Sequence, residues 1–526
     1  MTTTARPSAH FWAAALAGVV AVGAGLGIGE LFAVMVAPGA SPYFAVGSAV
    51  VDHTPDGIRE WAIGTFGTSD KLALFIGMGL IIVAIAAACG VAERLRPPAG
   101  TVVVAIFGVV GVIAALARPD SRWTFAIPSV FAGLVAVLVL RILVGMLRKA
   151  EDTVDTVART TAADVGEPSP SGVGRRFLLT AGGIAVLAVA AGVAGRRVLA
   201  DTTRTIADRS KVLLPIPRSA APPVPAAADL QVPGATPFVT TNDDFYRIDT
   251  ALQVPSLTTA DWSLRIHGMV DNEIRIGWDE LLTMPMTERI VTLTCVSNVI
   301  GGDLIGNARW LGVPMKTLLD RAGVQPGVDM LLSTSADGWT CGTPVSVATD
   351  GRDALLAIGM NGAPLPVEHG YPVRQVIPGL YGYVSATKWV VDWELTRFSD
   401  AKAYWTTRGW SALGPIKLAS RIDRPDSRSE HARGDVVIAG TAWAQHTGVA
   451  SVDVRIDDGA WQSAQLAEEY SVDTWRQWRF TWNAAPGDHT VTCRATDKNG
   501  RAQVESYASP VPDGATGLDS RTYTIT

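Results

Sequence analysis

The stretch TLTCVSNVIGGDLIGNARWLGVP, residues 292–314, places one cysteine, Cys295, at the end of an apolar and β-branched run. Such a run favours a strand, and the Gly301-Gly302 pair that follows favours a turn. A lone cysteine on a strand is most often a packed core residue. A thiolate is also a soft metal ligand, so the neighbours of Cys295 must decide between the two roles.

Polar and charged residues interrupt apolar stretches elsewhere in the chain. They are Asn242, Tyr246, Arg247, His369, Arg374, Ser385, Thr387 and Lys388. A guanidinium group such as that of Arg374 matches phosphate geometry. Lys388 precedes a predicted strand, where backbone N–H groups can also hold an anion. Taken together, these residues predict a site for a phosphorylated, pterin-sized ligand, with Cys295 available for its metal.

The composition of the whole chain excludes some classes of protein. The chain has 526 residues and a net charge of -5, which is not the basic footprint of a nucleic-acid-binding protein. Its four cysteines form no CxxC pair, so neither a zinc site nor a disulfide framework is predicted. A single Cys341–Cys493 bridge is left open by the spacing.

The first 200 residues are apolar and are predicted to form a membrane anchor. Five stretches approach the ~20 residues that a helix needs to cross a bilayer: residues 11–36, 72–92, 101–117, 123–146 and 177–195. Between the first two, residues 37–70 contain charges and proline. They predict a loop with an amphipathic piece or a short re-entrant helix.

The distribution of Lys and Arg predicts the orientation of this anchor. Basic residues cluster between spans two and three and between spans four and five, at Arg94, Arg96, Arg148, Lys149, Arg159, Arg175 and Arg176; Arg118 and Arg122 oppose this weakly. The N-terminus is therefore predicted inside and everything after span five outside. The twin arginines in residues 174–195 resemble an internal twin-arginine export signal, the alternative being simple positive flanks.

Only His10 and His53 precede residue 200, and neither is at the centre of a span. Haem with two histidine ligands needs histidines within the helices, so no haem is predicted. Electrons would then pass through a separate partner protein.

The second part of the chain divides into three segments by texture. Residues 201–237 are rich in Pro and Ala and predict a semi-rigid, extended linker. Residues 238–412 mix strands with short helices and predict an α+β domain, with hairpins at Asp337-Gly338 and Asn361-Gly362. Residues 413–526 show short strands with turn signals at regular intervals, the pattern of an immunoglobulin-like β-sandwich.

Three stretches resemble the sulfite oxidase family of molybdenum enzymes, and more narrowly its membrane-anchored, actinobacterial-type branch. They are TCVSNVIGGDLIGNARWLGVP, MNGAPLPVEHGYPVRQVIPGLYGYVSATKWV and GTAWAQHTGVASVDVRIDDG. The resemblance covers residues from about 240 to 526. It implies a mixed α+β cofactor domain followed by an immunoglobulin-like domain that often serves for dimerisation. It also implies a molybdopterin cofactor whose molybdenum carries one protein thiolate.

The resemblance assigns roles residue by residue. Cys295 matches the metal-ligating cysteine, and His369 with Arg374 matches the pair that holds the phosphate of the pterin. The remaining cofactor-binding residues that it implies are Asn242, Phe245, Tyr246, Asn298, Asn307, Ala308, Arg309, Trp310, Ser385, Thr387 and Lys388.

Departures from the family pattern argue against sulfite as the substrate. Sulfite-oxidising members gather several arginines around the sulfite dianion, and Arg247 matches one of them. Ile300 stands where a second would be, and Gln445 with His446 stands where a third reaches in from the sandwich. The tyrosine near the metal is not clearly matched. The pocket is therefore predicted to be less positive, and an unpaired buried dianion is costly.

These observations predict a membrane-anchored, molybdopterin-dependent oxidoreductase that performs two-electron oxygen-atom transfer outside the cytoplasm. Arg247 and His446 are the candidates for orienting a small substrate, and a homodimer through the C-terminal domain is expected by analogy. The alternatives are a reductase of sulfoxides, including oxidised methionine, and a non-catalytic anchored binding module.

Overall fold

The computed structural model describes residues 9–55, 57–58, 61, 65–66, 70–118, 121–161, 175–199 and 202–526. The chain forms two compact units, Met1–Asp201 and Thr202–Thr526.

The described part of the first unit is helical. Its helices are α1 Ala9–Val36, α2 Pro42–His53, α3 Asp70–Leu95, α4 Ala99–Leu116, α5 Ala126–Thr161 and α6 Arg175–Leu199, with short 3-10 turns at Pro38–Ala40 and Trp123–Phe125. Among the described residues, all of these except α2 are long and apolar enough to cross a membrane. The five predicted apolar stretches are thus five helices, and α2 lies in the stretch predicted as a loop or short helix.

Small residues let α1 and α3 approach closely. A Cβ atom at Gly18 would lie 1.9 Å from the backbone oxygen of Ala86, and one at Gly90 would lie 1.9 Å from that of Ala14. Glycine at both positions therefore permits backbone contact between the two helices, a packing typical of helices in membranes.

The segment predicted as a linker belongs to the second unit and packs on it. It contains α7 Thr203–Arg209 and a 3-10 turn at Ala226–Ala228. Arg209 donates hydrogen bonds to the carbonyls of Pro364 and Leu365. The segment is mostly extended, as expected, but its contacts make it a part of the globular unit and not a spacer.

One mixed and one antiparallel sheet form the first part of this unit. One sheet comprises β1 Ser263–Gly268, β2 Ile274–Gly277, β5 Met330–Ser335, β6 Thr340–Pro344 and β10 Val390–Thr396 in the order β2-β1-β10-β5-β6. The other comprises β3 Thr287–Thr294, β4 Ile305–Pro314, β7 Leu355–Met360, β8 Ala363–Pro364 and β9 Arg374–Val376 in the order β3-β4-β7-β8, with β9 paired to β7. Helices α8 Trp278–Thr283, α9 Met315–Ala322 and α10 Val345–Thr349 connect the strands. The predicted α+β class is confirmed for this part of the chain.

Local sequence signals explain several of these boundaries. Helix α9 ends at Ala322, and the next residue, Gly323, adopts the αL conformation that favours glycine, with φ +69°. The β7–β8 hairpin turns on Asn361 and Gly362, both at positive φ. Strand β3 stops one residue before Cys295, as the opening stretch predicts.

Two further sheets complete the unit. One comprises β11 Ala419–Arg424, β13 Gly434–Trp443, β16 Gln465–Leu466 and β17 Arg476–Ala484; the other comprises β12 Glu430–His431, β14 Val449–Ile456, β15 Gln462–Ser463, β18 Gly487–Asp497 and β19 Ser520–Ile525. Ile438 and Trp478 from the first share a hydrophobic core with Val452 and Val491 from the second. The two sheets thus pack together, while the immunoglobulin-like type of the domain stays a prediction.

All four cysteines are free and buried. The Cys341–Cys493 bridge that the sequence left open is therefore absent. Cys493 lies in the core shared by the last two sheets, where it accepts a hydrogen bond from Ser420.

Candidate active site

Cys295 begins a compact loop between β3 and β4. Its N–H donates to the carbonyl of Leu304 at 2.9 Å, which closes the loop. Inside it, the Asn298 side chain accepts from the N–H of Leu304 at 2.9 Å, and Gly301 takes φ +70°. Cys295 is 9% exposed, so its thiol faces the interior of the protein.

The last two sheets hold this loop from outside. Arg421 on β11 donates to the carbonyl of Gly302 at 2.7 Å and pairs with Asp423. The carboxylate of Asp519 lies against Gly301, because a Cβ there would come within 2.5 Å of its Oδ1 atom. The backbone next to the cysteine is thus fixed by buried charged groups of the C-terminal sheets.

Cys295 contributes to the electrostatic surroundings of two tyrosines, Tyr246 and Tyr381. Burial, and then the charge of Cys295, raise the pKa of Tyr246 above its usual range. Burial raises the pKa of Tyr381 to about 12, with Cys295 adding to the shift. Both hydroxyls are therefore neutral. Burial also raises the pKa of the Cys295 thiol, and hydrogen bonds from Ser297 oppose that shift.

A group of buried cations lies around the turn at Gly370. A Cβ atom there would be 3.0 Å from the Arg374 Cβ and 3.1 Å from the Lys388 Cα, so the two basic residues are neighbours. Arg374 donates to the carbonyl of His369 at 3.1 Å. Lys388 Nζ lies 2.8 Å from Asp249, which also pairs with Arg247 at 3.0 Å.

The electrostatics of this group are unbalanced. Lys388 is 9% exposed, Arg374 5% and His369 4%. Burial lowers the pKa of Lys388 to about 8 and that of Arg374 to about 10. Burial, reinforced by these two cations, lowers the pKa of His369 to about 4. Among the described residues, Asp249 is the one carboxylate that pairs with the group, so its positive charge exceeds its negative charge.

Aromatic rings connect the cations with the neighbourhood of the thiol. The Arg374 guanidinium lies 4.9 Å from the ring centroid of Trp310. Phe245 meets Trp310 and His369 edge to face at 5.7 and 5.6 Å, and stacks with Tyr246 at 5.1 Å. Tyr246 interacts with both Arg374 and Cys295. The structure therefore connects the predicted thiolate with the predicted phosphate-binding group through Tyr246.

Asn242 supports this arrangement through its backbone and its side chain. Its carbonyl accepts a hydrogen bond from His369 Nε2 at 3.2 Å. Its side-chain oxygen accepts from Asn361 at 2.9 Å. The early segment 242–249 is thereby held beside the cations.

Other predicted cofactor-binding residues use their side chains within the protein. Asn307 is fully buried and bonds to Thr292 and Phe238, while Ala308 is a core residue. Arg309 pairs with Glu288 at 2.9 Å. The hydroxyls of Ser385 and Thr387 bond to the Tyr381 carbonyl and to Ser333. These side chains stabilise the walls of the site, and their contact with a cofactor stays a prediction.

The two predicted substrate-orienting residues lie in different surroundings. Arg247 belongs with Asp249 and Lys388 in the cation group. His446 is 42% exposed in its side chain and lies 3.3 Å from Asp473. The structure places Arg247 with the residues predicted to hold phosphate, so its role toward a substrate stays a prediction.

Sequence reasoning missed Tyr381, Asp249 and Arg421. Tyr381 and Asp249 lie inside stretches that the sequence had singled out, but nothing in those stretches shows which tyrosine or carboxylate turns inward. Arg421 is 126 positions after Cys295, and no local pattern connects it to the loop. Only the packing of the sheets brings it there.

Comparison with known proteins bears on the site as a whole. Residues 251–405 match the family model described as oxidoreductase molybdopterin binding domain. Mitochondrial sulfite oxidase of Rattus norvegicus is 28% identical over 326 residues, which is 52% of this chain and 58% of that protein. Residues 251–405 therefore match a molybdopterin-binding oxidoreductase domain, and the chain is similar to the sulfite oxidase family.

Two more similarities were found. An uncharacterized oxidoreductase of Bacillus subtilis, YuiH, is 29% identical over 153 residues, covering 29% of this chain and 74% of that protein. The sulfane dehydrogenase SoxCD of Paracoccus pantotrophus has 22% identity and a TM-score of 0.48, covering 55% of this chain and 84% of the other. The chain spans a little over half the length of the mammalian sulfite oxidases that it matches.

The residues present fit the cofactor of the sulfite oxidase family. A phosphate would balance the excess buried charge of Arg374 and Lys388, whose present partners are a single carboxylate and backbone carbonyls. A metal on Cys295 would need ligands from outside the protein, because no group of three or more His, Cys, Asp or Glu in the described part of the chain could hold one. Molybdopterin brings both the phosphate and the other ligands.

Proposed function

We propose that this protein is a membrane-anchored enzyme of the sulfite oxidase family that transfers an oxygen atom, with two electrons, to or from a small substrate outside the cytoplasm. The observation that carries the proposal is the joint placement of a buried thiol and an unbalanced buried cation group, connected through Tyr246. When bound, molybdopterin supplies a metal centre for oxygen-atom and two-electron exchange.

The residues of the chain perform the binding and positioning. Cys295 would ligate the metal, and its loop is fixed by Arg421 from the sandwich. Arg374 and Lys388 would hold the phosphate, since buried charge-assisted hydrogen bonds to phosphate are strong. The neutral hydroxyl of Tyr246 can donate a hydrogen bond to a polar substrate atom, whereas the hydroxyl of Tyr381 accepts a hydrogen bond from the Lys417 N–H at 3.3 Å.

The anchor, the outside location and the partners are parts of the same proposal. Five long apolar helices support an anchor, and the positions of the basic residues between them support an inside N-terminus. A separate electron-transfer protein is proposed because the sequence offers no histidine pair for haem within a span. A homodimer through the C-terminal sheets rests on family resemblance alone.

A sulfoxide reductase is the second candidate function. Ile300 and Gln445 stand where further arginines would be expected, and Tyr246 and Tyr381, whose raised pKa values keep them neutral, both interact electrostatically with Cys295. A neutral S=O group needs hydrogen-bond donors and no countercharge, so such a site suits a sulfoxide better than a dianion.

Metal and pterin analysis of the full chain tests the enzyme proposal. The chain is expressed in a host that makes molybdopterin, and molybdenum and pterin are measured per chain, with near-stoichiometric amounts expected. Absence of both after proper maturation would support the non-catalytic anchored module instead.

Turnover is then screened with sulfite under oxidising conditions and with sulfoxides and nitrogen oxides under reducing conditions. Cys295→Ser should retain pterin, because the phosphate grip is untouched, and should lose turnover. Cys493→Ser, a change at another buried cysteine, is the matched control and should keep both. Full turnover in Cys295→Ser would refute the assignment of the thiolate.

A further inference from the structure

The first unit contains a cavity of about 330 Å³ between the end of α3, the connection from α3 to α4, and the middle of α5. It is lined by Glu93 of α3, by Pro97 and Pro98 of the connection to α4, and by Arg141, Gly145 and Arg148 of α5. Two arginines thus line a cavity between segments that the proposed function places in a membrane. We propose that this cavity binds the phosphate headgroup of an anionic phospholipid.

The position of the cavity along the proposed membrane spans fits a lipid headgroup. Helix α4 has 18 residues, so it is about 27 Å long, close to the ~30 Å thickness of a hydrocarbon core. Its first turn therefore marks the boundary between acyl chains and headgroups. Arg141 Nε lies 3.4 Å from the hydroxyl of Thr101 in that turn, so the guanidinium is at the level of lipid phosphates.

The surroundings of Arg141 point to a lipid as the occupant. Leu134, Leu138 and Ile142 lie on the same face of α5 and are 61%, 59% and 46% exposed. Arg141 is itself exposed among them. A cation on a face that contacts acyl chains is costly unless it reaches an anion at the interface, and the phosphate of a neighbouring lipid is the anion that such a face offers.

Arg148 supplies the second part of the site. Its Nη2 atom donates to the carbonyls of Glu93 and Arg94 at 2.9 and 2.7 Å, which fixes the guanidinium at the end of α3. The one carboxylate of the cavity, Glu93, accepts a hydrogen bond from the Thr101 N–H at 2.7 Å. In the part of the chain that the structure describes, neither Arg141 nor Arg148 forms an ion pair, so a phosphate can bind both.

The test uses the full chain, delipidated in mild detergent, and native mass spectrometry. It is titrated with phosphatidylglycerol and, as a zwitterionic match, with phosphatidylcholine of the same acyl chains. We expect phosphatidylglycerol to bind about tenfold more tightly, and the Arg141→Gln/Arg148→Gln variant to lose that preference, since each basic residue at a membrane surface attracts anionic lipid. Arg197→Gln, in the last turn of α6, removes a charge elsewhere and should bind as the wild type does.

Three results would overturn the site: equal binding of both lipids, unchanged preference in the double variant, or full displacement of phosphatidylglycerol by inorganic phosphate. Should the double variant misfold, Arg141→Lys keeps the charge but loses the forked geometry, and its preference should fall severalfold.

The inference rests on the proposed membrane anchor but not on the proposed chemistry. Release of the chain from membranes by alkaline carbonate without detergent would overturn the anchor and the lipid site together. Molybdenum content and turnover, measured on the same preparations, report on the enzyme proposal independently of either result.

Discussion

At the scale of single residues, the cation group is built to receive a charge that the protein does not supply. Arg374 and Lys388 are both nine-tenths buried or more, and carbonyl groups provide most of their hydrogen bonds. Burying two such cations costs free energy unless anions accompany them. An anionic ligand therefore stabilises the fold as well as binding to it, because it binds the native state alone.

His369 carries a prediction about pH in the cofactor-free chain. Its folded-state pKa is about 4 against an unfolded value of 6.5, so between these values the unfolded chain binds the proton and the folded chain does not. Stability that is present above pH 6.5 is therefore lost as pH falls toward 4, by on the order of 3 kcal/mol. The His369→Gln variant should lack this loss, and denaturant unfolding of both chains at pH 7 and pH 4 measures the difference.

His489 provides a control of opposite sign. Its hydrogen bond to Asp457 raises its pKa, so its stabilisation is present at low pH and disappears as pH rises through the folded value. His489→Gln should therefore weaken the chain at acid pH, where His369→Gln relatively strengthens it. An identical pH dependence in wild type and His369→Gln would contradict the burial of a neutral imidazole.

The residue types of the site could be predicted because each has a chemical meaning on its own. The sequence identified Cys295 as a thiolate and Arg374 and Lys388 as two cations that bind an anion. The structure places the two cations together. The hydrogen-bond partners of these side chains could not be predicted in the same way. Asn307 has the donors and acceptors for a pterin, but they bond to Thr292 and Phe238, which lie far away in sequence or on another strand.

At the scale of elements, the loop from Cys295 to Leu304 depends on the C-terminal sheets. Gly301→Ala would force an L-residue to φ +70° and place its Cβ 2.5 Å from Asp519. We expect a loss of roughly 1–3 kcal/mol of stability from strain and overpacking. We also expect altered molybdenum content or an altered electron paramagnetic resonance signal of the metal, because the backbone next to its ligand must shift.

The Gly500→Ala variant separates the effect of backbone strain from the effect of the contact between Asp519 and the Cys295 loop. Gly500 has φ +79° and no atom within 4 Å of an added Cβ, so the variant carries the backbone strain without the contact to Asp519. Its melting temperature should fall modestly while the metal signal stays that of the wild type. If both variants changed the metal signal equally, the contact between Asp519 and the loop would not be what positions the thiolate.

Elements that are specified by local sequence, such as hairpin turns, were predicted well. The pairing of strands that are distant in sequence was not predicted. The turns at Asp337-Gly338 and Asn361-Gly362 connect β5 with β6 and β7 with β8, as expected. The sequence did not reveal that β1 pairs in parallel with β10, with Arg265 opposite Asp392. Such pairings depend on packing between segments more than a hundred residues apart, which no turn residue specifies.

At the scale of the whole molecule, the buried site has a consequence for how the chain is assembled. Cys295, Arg374 and Lys388 are each less than one-tenth exposed, so a cofactor that contacts all three is enclosed by the folded unit. We infer that loading precedes or accompanies folding. The proposed function places this unit outside, so a unit loaded inside the cell would cross the membrane already folded, and a twin-arginine signal is read by a translocase that carries folded proteins.

The arginines at the start of α6 test this route. Arg175→Lys/Arg176→Lys keeps both positive charges, so the topology set by charge is retained, but it removes the pair that the translocase reads. We expect the second unit to remain inside and resist added protease in spheroplasts, whereas the wild-type unit is digested. Arg196→Lys/Arg197→Lys, at the other end of the same helix, is the matched control. Digestion of both variants to the wild-type extent would mean that Arg175 and Arg176 are only positive flanks, and that the folded unit is exported or loaded by another route.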